Sequence, residues 1–355
     1  VSPTILFAEV PQLYAAIERS DDPALADRPV LVGGNPRKRG MVQAATLDAL
    51  AAGVTLEMTM LEALQLCPRA RAVRTDMPRY REVSRRLMAT LRRVVGRLEP
   101  LGLGAAYADV SGAGESVEAI AARLVERVAE EPGLPLRVGI GSRKFVARLA
   151  AETAGESGIR RVSEAEERAF LDPQPVTRLE GVGAKTAARL AERGVRTIAD
   201  VVALGREVLE EAFGAHGLRI HALAVGDDPE PLRAASHPQS LSREATLGLD
   251  RLDWAVLAEQ LQRLAQDLEA ELRRQGLAAR RVVLRLRFGD GASASRSLTV
   301  PSPLVAAGDL HQTALRLLER VEAGERAVRR VGLQLGRLAP AAESDRQLAL
   351  FPPGD

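Results

Sequence analysis

LEGVGAKTAARLAERGVRTIADV, residues 179–201, is the stretch that decides how this chain is organised. Gly181 and Gly183 bracket a valine and lead straight into AKTAARLAE, whose apolar spacing is helical. A tight glycine turn opening a helix leaves backbone N–H groups pointing outward, where they can hold a phosphate without reading a base. Lys185 and Thr186 follow the turn, and Lys185 can add a point charge. The pattern is a helix-hairpin-helix signature; its ordinary alternative is a structural helix turn. It is too short for a P-loop, which needs GxxxxGK followed by Ser or Thr.

Upstream the texture differs. TILFAEV (4–10) reads as a buried strand followed by the helical QLYAAIER. PVLVGG runs into the basic turn NPRKRG, MVQAA is extended, and LDALAAG is a short helix closing at Gly53. From Arg81 to Leu98, REVSRRLMATLRRVVGRL has apolar residues at helical spacing and an arginine-rich face. LGLGAAYADVSG then reads as a strand with a turn at Ser111-Gly112, VEAIAARLVERVAEE as an amphipathic helix, LRVGIGS as a strand and KFVARLAAETA as a helix. Strands alternating with amphipathic helices predict a first domain of α/β or α+β type.

Downstream, FGAHGLRIHALAVGDD is helical and stops at an acidic turn, and residues 232–241 are polar with Pro238, as in a linker. Residues 242–340 form a separate module. Leu257, Leu261, Leu264, Leu268 and Leu272 make one stripe, as expected of a helix covering a sheet. In RVVLRLRFGDG, Leu284, Leu286 and Phe288 face one way, Arg285 and Arg287 the other. From Leu272 to Val300 seven arginines stand against one acid, Asp290, so this segment alone carries +6. A row of guanidiniums on a sheet backed by a helical core can track a phosphate backbone; a solvated sheet face is the alternative.

The bulk figures permit this reading. The chain has 355 residues, enough for several domains, and a net charge of only +2. Lysine occurs three times, leaving 46 arginines, which fits either a GC-rich genome or phosphate contact. One cysteine, Cys67, and four histidines show no metal-ligand spacing. A single cysteine precludes an intrachain disulfide, and no membrane span or signal peptide is evident, so a cytoplasmic, nucleoid-associated protein is expected.

With these segments in order, the chain resembles the Y-family translesion DNA polymerases of the DinB type. The matching pieces are ILFAEVPQLYAAIE, PVLVGG, RGMVQAATLDALAAGV, EPLGLGAAYADVSG, VGIGSRKFVARLAAE, LEGVGAKTAARLAERGVRTIADV, SLSREATL and VVLRLRFGD...SRSLTV. The resemblance implies an α+β multidomain right-hand fold. Its parts would be a palm with a mixed or antiparallel sheet (1–12 and 75–167), fingers (13–74), a helix-hairpin-helix thumb (168–231), a linker (232–241), a little finger (242–340) and a tail (341–355). DNA contacts would come from Gly181, Gly183, Lys185, Thr186, Ser240, Ser242, Arg243, Arg285, Arg287 and Arg296.

The catalytic positions depart from the family. Its first palm Asp aligns with Glu9, and a second nearby acid with Pro11. The adjacent Asp and Glu of its Ser-Ile-Asp-Glu-Ala-Tyr strand have become Gly104 and Ala105. The Tyr and Arg that hold the incoming triphosphate are replaced by Leu47 and Leu50. Tyr14 matches the aromatic sugar gate and Lys144 the triphosphate-side lysine, with Arg143 before it where the family prefers Asn. Two-metal phosphoryl transfer needs clustered carboxylates around cations roughly 3.5–4 Å apart. Asp109 cannot substitute, because four residues of strand place it about 13 Å beyond Ala105. Glu9 alone would hold at most a weakly bound Mg²⁺, so no cofactor is expected.

The tail QLALF (347–351) looks like the bacterial sliding-clamp-binding motif, with Gln347 oriented by hydrogen bonds and Leu348, Leu350 and Phe351 as apolar anchors. A core-docked last strand is the alternative. The expected function is therefore a non-catalytic, DNA- and clamp-binding accessory of translesion synthesis, serving another error-prone polymerase. It is similar to the accessory proteins of mutagenesis cassettes, but departs from them in ending just after the little finger. An active polymerase with an altered metal site, and a clamp-independent binder of damaged DNA, are the competing readings.

Overall fold

The computed structural model describes residues 3–38, 40–228, 232, 238, 240–247, 253–321 and 326–341. Two compact units divide the chain, Val1–Ala234 and Ala235–Asp355. The first contains β1 (Ile5–Glu9), α1 (Leu13–Asp21), β2 (Val30–Gly33), β3 (Val42–Ala45), α2 (Leu47–Ala51), α3 (Met60–Leu66), β4 (Arg71–Arg74) and α4 (Met77–Val95). There follow β5 (Glu99–Leu101), β6 (Ala105–Asp109), α5 (Val117–Glu130), β7 (Arg137–Gly141), α6 (Lys144–Glu152) and β8 (Ile159–Arg161). Helices α7 (Glu164–Leu171), α8 (Ala184–Ala191), α9 (Ile198–Leu204), α10 (Arg206–Phe213) and α11 (Ala215–Ala224) complete it.

The main sheet has the order β5-β6-β1-β7-β8. β1 pairs antiparallel with both β6 and β7, so the first strand of the sequence lies at the centre of the sheet. Its side chains alternate between two layers. Leu6 and Ala8 meet Val83, Leu87 and Leu91 of α4 and Ile120 and Leu124 of α5. Phe7 faces the other way and packs with Tyr107, Ala147 and Ala151, the last two on α6. Each fully buried large apolar side chain contributes about 1.5–3 kcal/mol, and these rows fix which face β1 gives to the helices.

Two local readings of the sequence change. α4 begins at Met77 rather than Arg81, because Asp76 caps it by accepting from the Arg79 N–H at 3.1 Å and Pro78 suits the first turn. Residues 101–112 do not form one strand. Gly102, at φ 64°, turns the chain so that β5 and β6 pair as a hairpin with Leu101 opposite Ala105.

A small three-stranded sheet, β3-β2-β4, packs Leu31, Val42 and Ala45 on Met60, Ala63 and Cys67. Helices α7–α11 enclose Phe170, Leu190, Ile198, Leu209, Ile220 and Leu223. Here Gly217 permits α10 and α11 to touch, since a Cβ at that position would lie 1.9 Å from the Leu209 carbonyl oxygen.

The second unit consists of β9 (Ser240–Thr246), α12 (Trp254–Gln275), β10 (Leu277–Phe288), β11 (Ser293–Leu304), α13 (Ala307–Glu319) and β12 (Val328–Pro340). The sheet order is β11-β10-β12-β9, antiparallel at every junction. The leucine stripe of α12 is buried against Leu284, Leu286, Phe288, Leu333 and Leu335. Ser240 and Leu241, read with the linker, already belong to β9, where Leu241 is buried opposite Leu335. Among the described residues no helix is long and apolar enough to cross a membrane.

Candidate functional site

Strand pairing brings three residues side by side at the end of the main sheet. Glu9 sits opposite Ala105 on β6 and opposite Arg137 on β7. Residues directly opposed in antiparallel strands project from the same face, so the two charged side chains meet. Glu9 Oε2 accepts from Arg137 Nη2 at 2.6 Å and from Nε at 2.9 Å. The pair is largely sheltered, with 28% of the Glu9 side chain and 16% of the Arg137 side chain exposed. The position next to Glu9 that would need a second carboxylate carries the methyl group of Ala105.

Gly104 leaves little room for one either: a Cβ there would stand 3.1 Å from Leu13 Cβ. Asp109 lies at the far end of β6 opposite Ile5, and its carboxylate accepts from the Ser111 N–H at 2.9 Å. Among the described residues no group of three or more His, Cys, Asp or Glu side chains is placed to hold a metal ion. The donor set at the sheet end does not fit the paired magnesium ions that a polymerase palm implies. Its one carboxylate already takes two guanidinium N–H bonds, and Pro11, Gly104 and Ala105 offer no side-chain oxygen.

The positions matched to triphosphate binding are engaged elsewhere. Leu50 is half-buried against the small core of Val42, Met60 and Ala63. Leu47 is half-buried beside Pro11 and Gln12 in a cleft of about 190 Å³. Asp48, between the two leucines, pairs with Arg19 at 2.9 Å. Tyr14 stacks on Tyr80 with ring centroids 4.5 Å apart, and the Tyr80 hydroxyl donates to Glu18 at 2.5 Å. Burial, reinforced by that bond, pushes the Tyr80 phenol above the ordinary tyrosine range.

Lys144 opens α6, yet it is buried, with Nζ 2.6 Å from Glu99 Oε2 and 5.5 Å from the centre of the Tyr107 ring. Arg143, just before it, is exposed. Burial also pushes the Tyr107 phenol upward, so it stays neutral. Lys144, Tyr107, Glu99 and Arg148 line one wall of a cleft of about 470 Å³, whose other wall is the turn Gly181–Gly183.

That turn is built for close approach. Gly181 has φ 89°, a conformation that disfavours a side chain, and a Cβ there would meet His216 Cε1 at 2.8 Å. Val182 is buried and anchors the turn in the helical core. Gly183 caps α8 without any side-chain bond to the free N–H groups of the first turn, and nothing lies within 4 Å of where its Cβ would be. Lys185 is exposed beside it and Thr186 half-buried. The first N–H groups of a helix lack internal partners, so this end offers donors and a partial positive charge to an anion.

The second unit presents a polar sheet face. β10 contributes Arg281, Arg285 and Arg287, and its neighbours on one side are Thr299, Ser295 and Ser293. On the other side Arg281 and Arg285 stand opposite Gly336 and Gly332, and Arg287 opposite Arg330. β9 adds Ser240, Ser242 and Glu244 in the same register, with Glu244 bonded to Arg330 at 3.1 Å. A groove of about 270 Å³ lies over Gly332 between Arg285, Arg287, Arg330 and Gln334. Arg285 and Arg287 are exposed and form no ion pair among the described residues.

Two arginines that the resemblance implied as DNA contacts, Arg243 and Arg296, lie on the opposite face of the sheet. Arg243 stands opposite Leu333 and bonds the buried Glu271 of α12 at 3.2 Å. Arg296 stands opposite Leu284, and its Nε donates to the Arg320 carbonyl at 2.9 Å, where α13 ends. The register turns both toward the helices, and each satisfies a group there. Gln347, Leu348, Leu350 and Phe351 lie outside the described residues.

Sequence reasoning missed Arg137 and Arg330. Arg330 was detectable, since the alternation of RRVGLQLGRL places it with Gly332 and Gln334. Arg137 could be assigned to a face of its strand, but not to Glu9, without knowing which strands pair.

Residues 9–152 match the impB/mucB/samB family and residues 238–350 match its C-terminal domain. The chain is 35% identical over 351 residues to a DNA polymerase IV of Alkalilimnicola ehrlichii, covering 98% of this chain and 99% of that protein. A DNA polymerase IV of Caulobacter vibrioides is 35% identical over 309 residues, 86% of this chain and 76% of that protein. Among solved structures, an insertion ternary complex of Dbh DNA polymerase superposes with a TM-score of 0.75 at 22% identity, covering 94% of this chain and 98% of that one. DinB from Sulfolobus solfataricus gives 0.72 at 22% with the same coverage. At that identity the two structures speak for the fold alone.

Proposed function

The chain belongs to the impB/mucB/samB family and is a Y-family, DinB-type DNA polymerase homologue, and from that premise we propose that it grips DNA without synthesising it. In this reading the five-stranded sheet is a palm emptied of its metal ligands, and residues 13–74 are the fingers. Residues 168–231 act as thumb and 242–340 as little finger. The helix-hairpin-helix turn takes one stretch of backbone phosphate, and the arginine and serine face of β10, β11 and β12 takes another. The tail holds the sliding clamp, which makes the protein a non-catalytic accessory of translesion synthesis alongside an error-prone polymerase.

One observation carries the loss of chemistry: the remaining palm carboxylate, Glu9, is neutralised by Arg137 and has Ala105 where a second acid is required. Phosphoryl transfer by two ions depends on carboxylates that seat both cations and bridge the attacking and leaving oxygens. A single carboxylate whose Oε2 already takes two guanidinium bonds, with Ala105 beside it, cannot seat a pair of cations around a 3′ hydroxyl. What remains to the protein is binding: donors at Gly183, a charged face at Arg285 and Arg287, and affinity that falls steeply with salt as counterions are released.

A second reading, an active polymerase with an altered metal site, is favoured by identity of 35% across nearly the whole length of a protein named DNA polymerase IV. Primer extension on a primer-template in Mg²⁺ and in Mn²⁺ separates the two. Retained binding with no templated incorporation is the expected result. Templated incorporation that disappears in Glu9→Ala overturns the proposal in favour of the second reading.

A further inference from the structure

The arginine-rich face of α4 has no place in the site described above. Tyr80, Val83, Leu87 and Leu91 pack α4 on the Leu6 and Ala8 side of the main sheet, the face away from Glu9. From Met77 to Val95 the helix carries six arginines and one acid, Glu82. A GC-rich genome does not account for that excess, because it acts on every helix. α5 has two arginines against three acids, and α12 three against four.

Helical geometry sorts the six arginines into two rows. At 3.6 residues per turn, Arg81, Arg85 and Arg92 fall within an arc of about 40°, and Arg79, Arg86 and Arg93 within another arc about 120° away. The second row is spoken for: Arg79 pairs with Asp21 at 2.7 Å and with Glu82 at 3.2 Å, while Arg86 and Arg93 reach Glu131 at 3.8 and 3.3 Å. The first row is exposed and forms no ion pair among the described residues. One helix thus keeps three guanidiniums compensated and three uncompensated, sorted by direction.

We infer that Arg81, Arg85 and Arg92 form a separate contact for DNA backbone, outside the helix-hairpin-helix turn and the outer face of β10. The row spans about 16 Å along the helix axis at 1.5 Å per residue. Duplex DNA carries a charge about every 1.7 Å of its axis, so such a row meets several phosphates, whereas a lone phosphate would occupy one guanidinium. Arginine suits this contact because its planar fork can bond two phosphate oxygens at once. The row reads no sequence, since contacts to phosphate fix position only.

The test compares two triple variants of the full chain that remove equal charge from the same helix. One is Arg81→Gln, Arg85→Gln and Arg92→Gln; the other is Arg79→Gln, Arg86→Gln and Arg93→Gln. Binding to a primer-template with a long single-stranded extension is measured by anisotropy across a salt series, with a thermal melt of each variant as a check on folding. The first variant is expected to flatten the slope of log K against log salt by about 2 to 3, near 0.7–0.9 per lost contact, and the second to leave it within one unit. Equal flattening by both overturns the inference, because net charge alone then explains it. An unchanged slope in the first variant, or lost binding to poly-glutamate with DNA binding intact, also overturns it, the last in favour of an acidic protein partner. Loss of the slope through Gly183 or Arg285 variants tests the other contacts and leaves this one standing.

Discussion

Arg137 and Glu9 face each other across β7 and β1, and the guanidinium makes two bonds to a single carboxylate oxygen, Oε2. Both groups are mostly shielded from water, so each depends on the other for compensation. Arg137→Gln should lower stability by about 1.5–3 kcal/mol, the scale of a hydrogen bond to a charged group, measured by urea unfolding. Glu9→Gln combined with Arg137→Gln should recover part of that loss, because neither charge is then stranded. Electron spin resonance of Mn²⁺ should show the free-ion signal undiminished by the wild-type protein. Two bound ions per chain would remove the argument from the donor set.

The helix-hairpin-helix turn allows a substitution that separates folding from binding. Gly183→Ala meets nothing within 4 Å and keeps an ordinary φ of −81°, so the melt should stay nearly unchanged. The added methyl group would crowd the approach of the proposed phosphate to the N–H groups of α8, and affinity should fall about tenfold, or about 1.4 kcal/mol. Gly181→Ala should instead destabilise by about 1–2 kcal/mol, since φ is 89° there and His216 blocks the Cβ. Identical melts for the two variants would contradict the geometry.

Period-two alternation placed Leu284 and Leu286 inside and Arg285 and Arg287 outside, because β10 covers a helical core on one side only. That Gly104 and Ala105 carry no carboxylate is legible from residue type; their match to palm acids comes only through the family resemblance. Arg296 shares its parity with Ala294, Leu298 and Val300 in SASRSLTV, so alternation already sets it on the apolar side, but its charge grouped it with the outward arginines until the register with β10 was known. The Glu9–Arg137 bond joins residues 128 apart in the chain, a pairing that no local pattern contains.

Acid should weaken the link between α1 and α4. Arg79 binds both oxygens of Asp21 at 2.7 and 2.8 Å, and that hydrogen bonding, against a smaller opposing effect of burial, holds the carboxyl below its ordinary 3.8. A carboxyl with a lowered folded-state pKa contributes stability that is present above its unfolded value and lost as pH falls through the folded one. The wild type should therefore lose part of its thermal stability below about pH 4. Asp21→Asn should start lower at neutral pH and show a smaller further loss over that window.

Removal of Gln347–Phe351 checks the role proposed for the tail. Capture by an immobilised sliding clamp should be abolished, because in the proposed motif Leu350 and Phe351 would be the apolar anchors and Gln347 the source of oriented hydrogen bonds. Primer-template affinity measured without the clamp should not change. Clamp capture that survives the deletion would assign the interaction to another part of the chain.

Strand register separates the arginines of the second unit by the side of the sheet they occupy. Arg285 and Arg287 point away from α12 and α13, opposite Ser295 and Ser293 on β11, and have no acidic neighbour that bonds them among the described residues. Arg296 belongs to the same basic segment but is turned to the helix side, where it bonds the Arg320 carbonyl. Composition treats the three alike, whereas strand register does not. Each phosphate contact adds about 0.9 to the slope of log K against log salt on duplex DNA. Arg285→Gln with Arg287→Gln should therefore reduce that slope by nearly two and weaken binding similarly for any sequence. Arg296→Gln should leave the slope unchanged and lower the melting temperature instead, because the end of α13 loses a donor. A salt series on one duplex, run for both variants, decides it: an equal change in slope would mean that charge density, and not the direction set by pairing, governs contact.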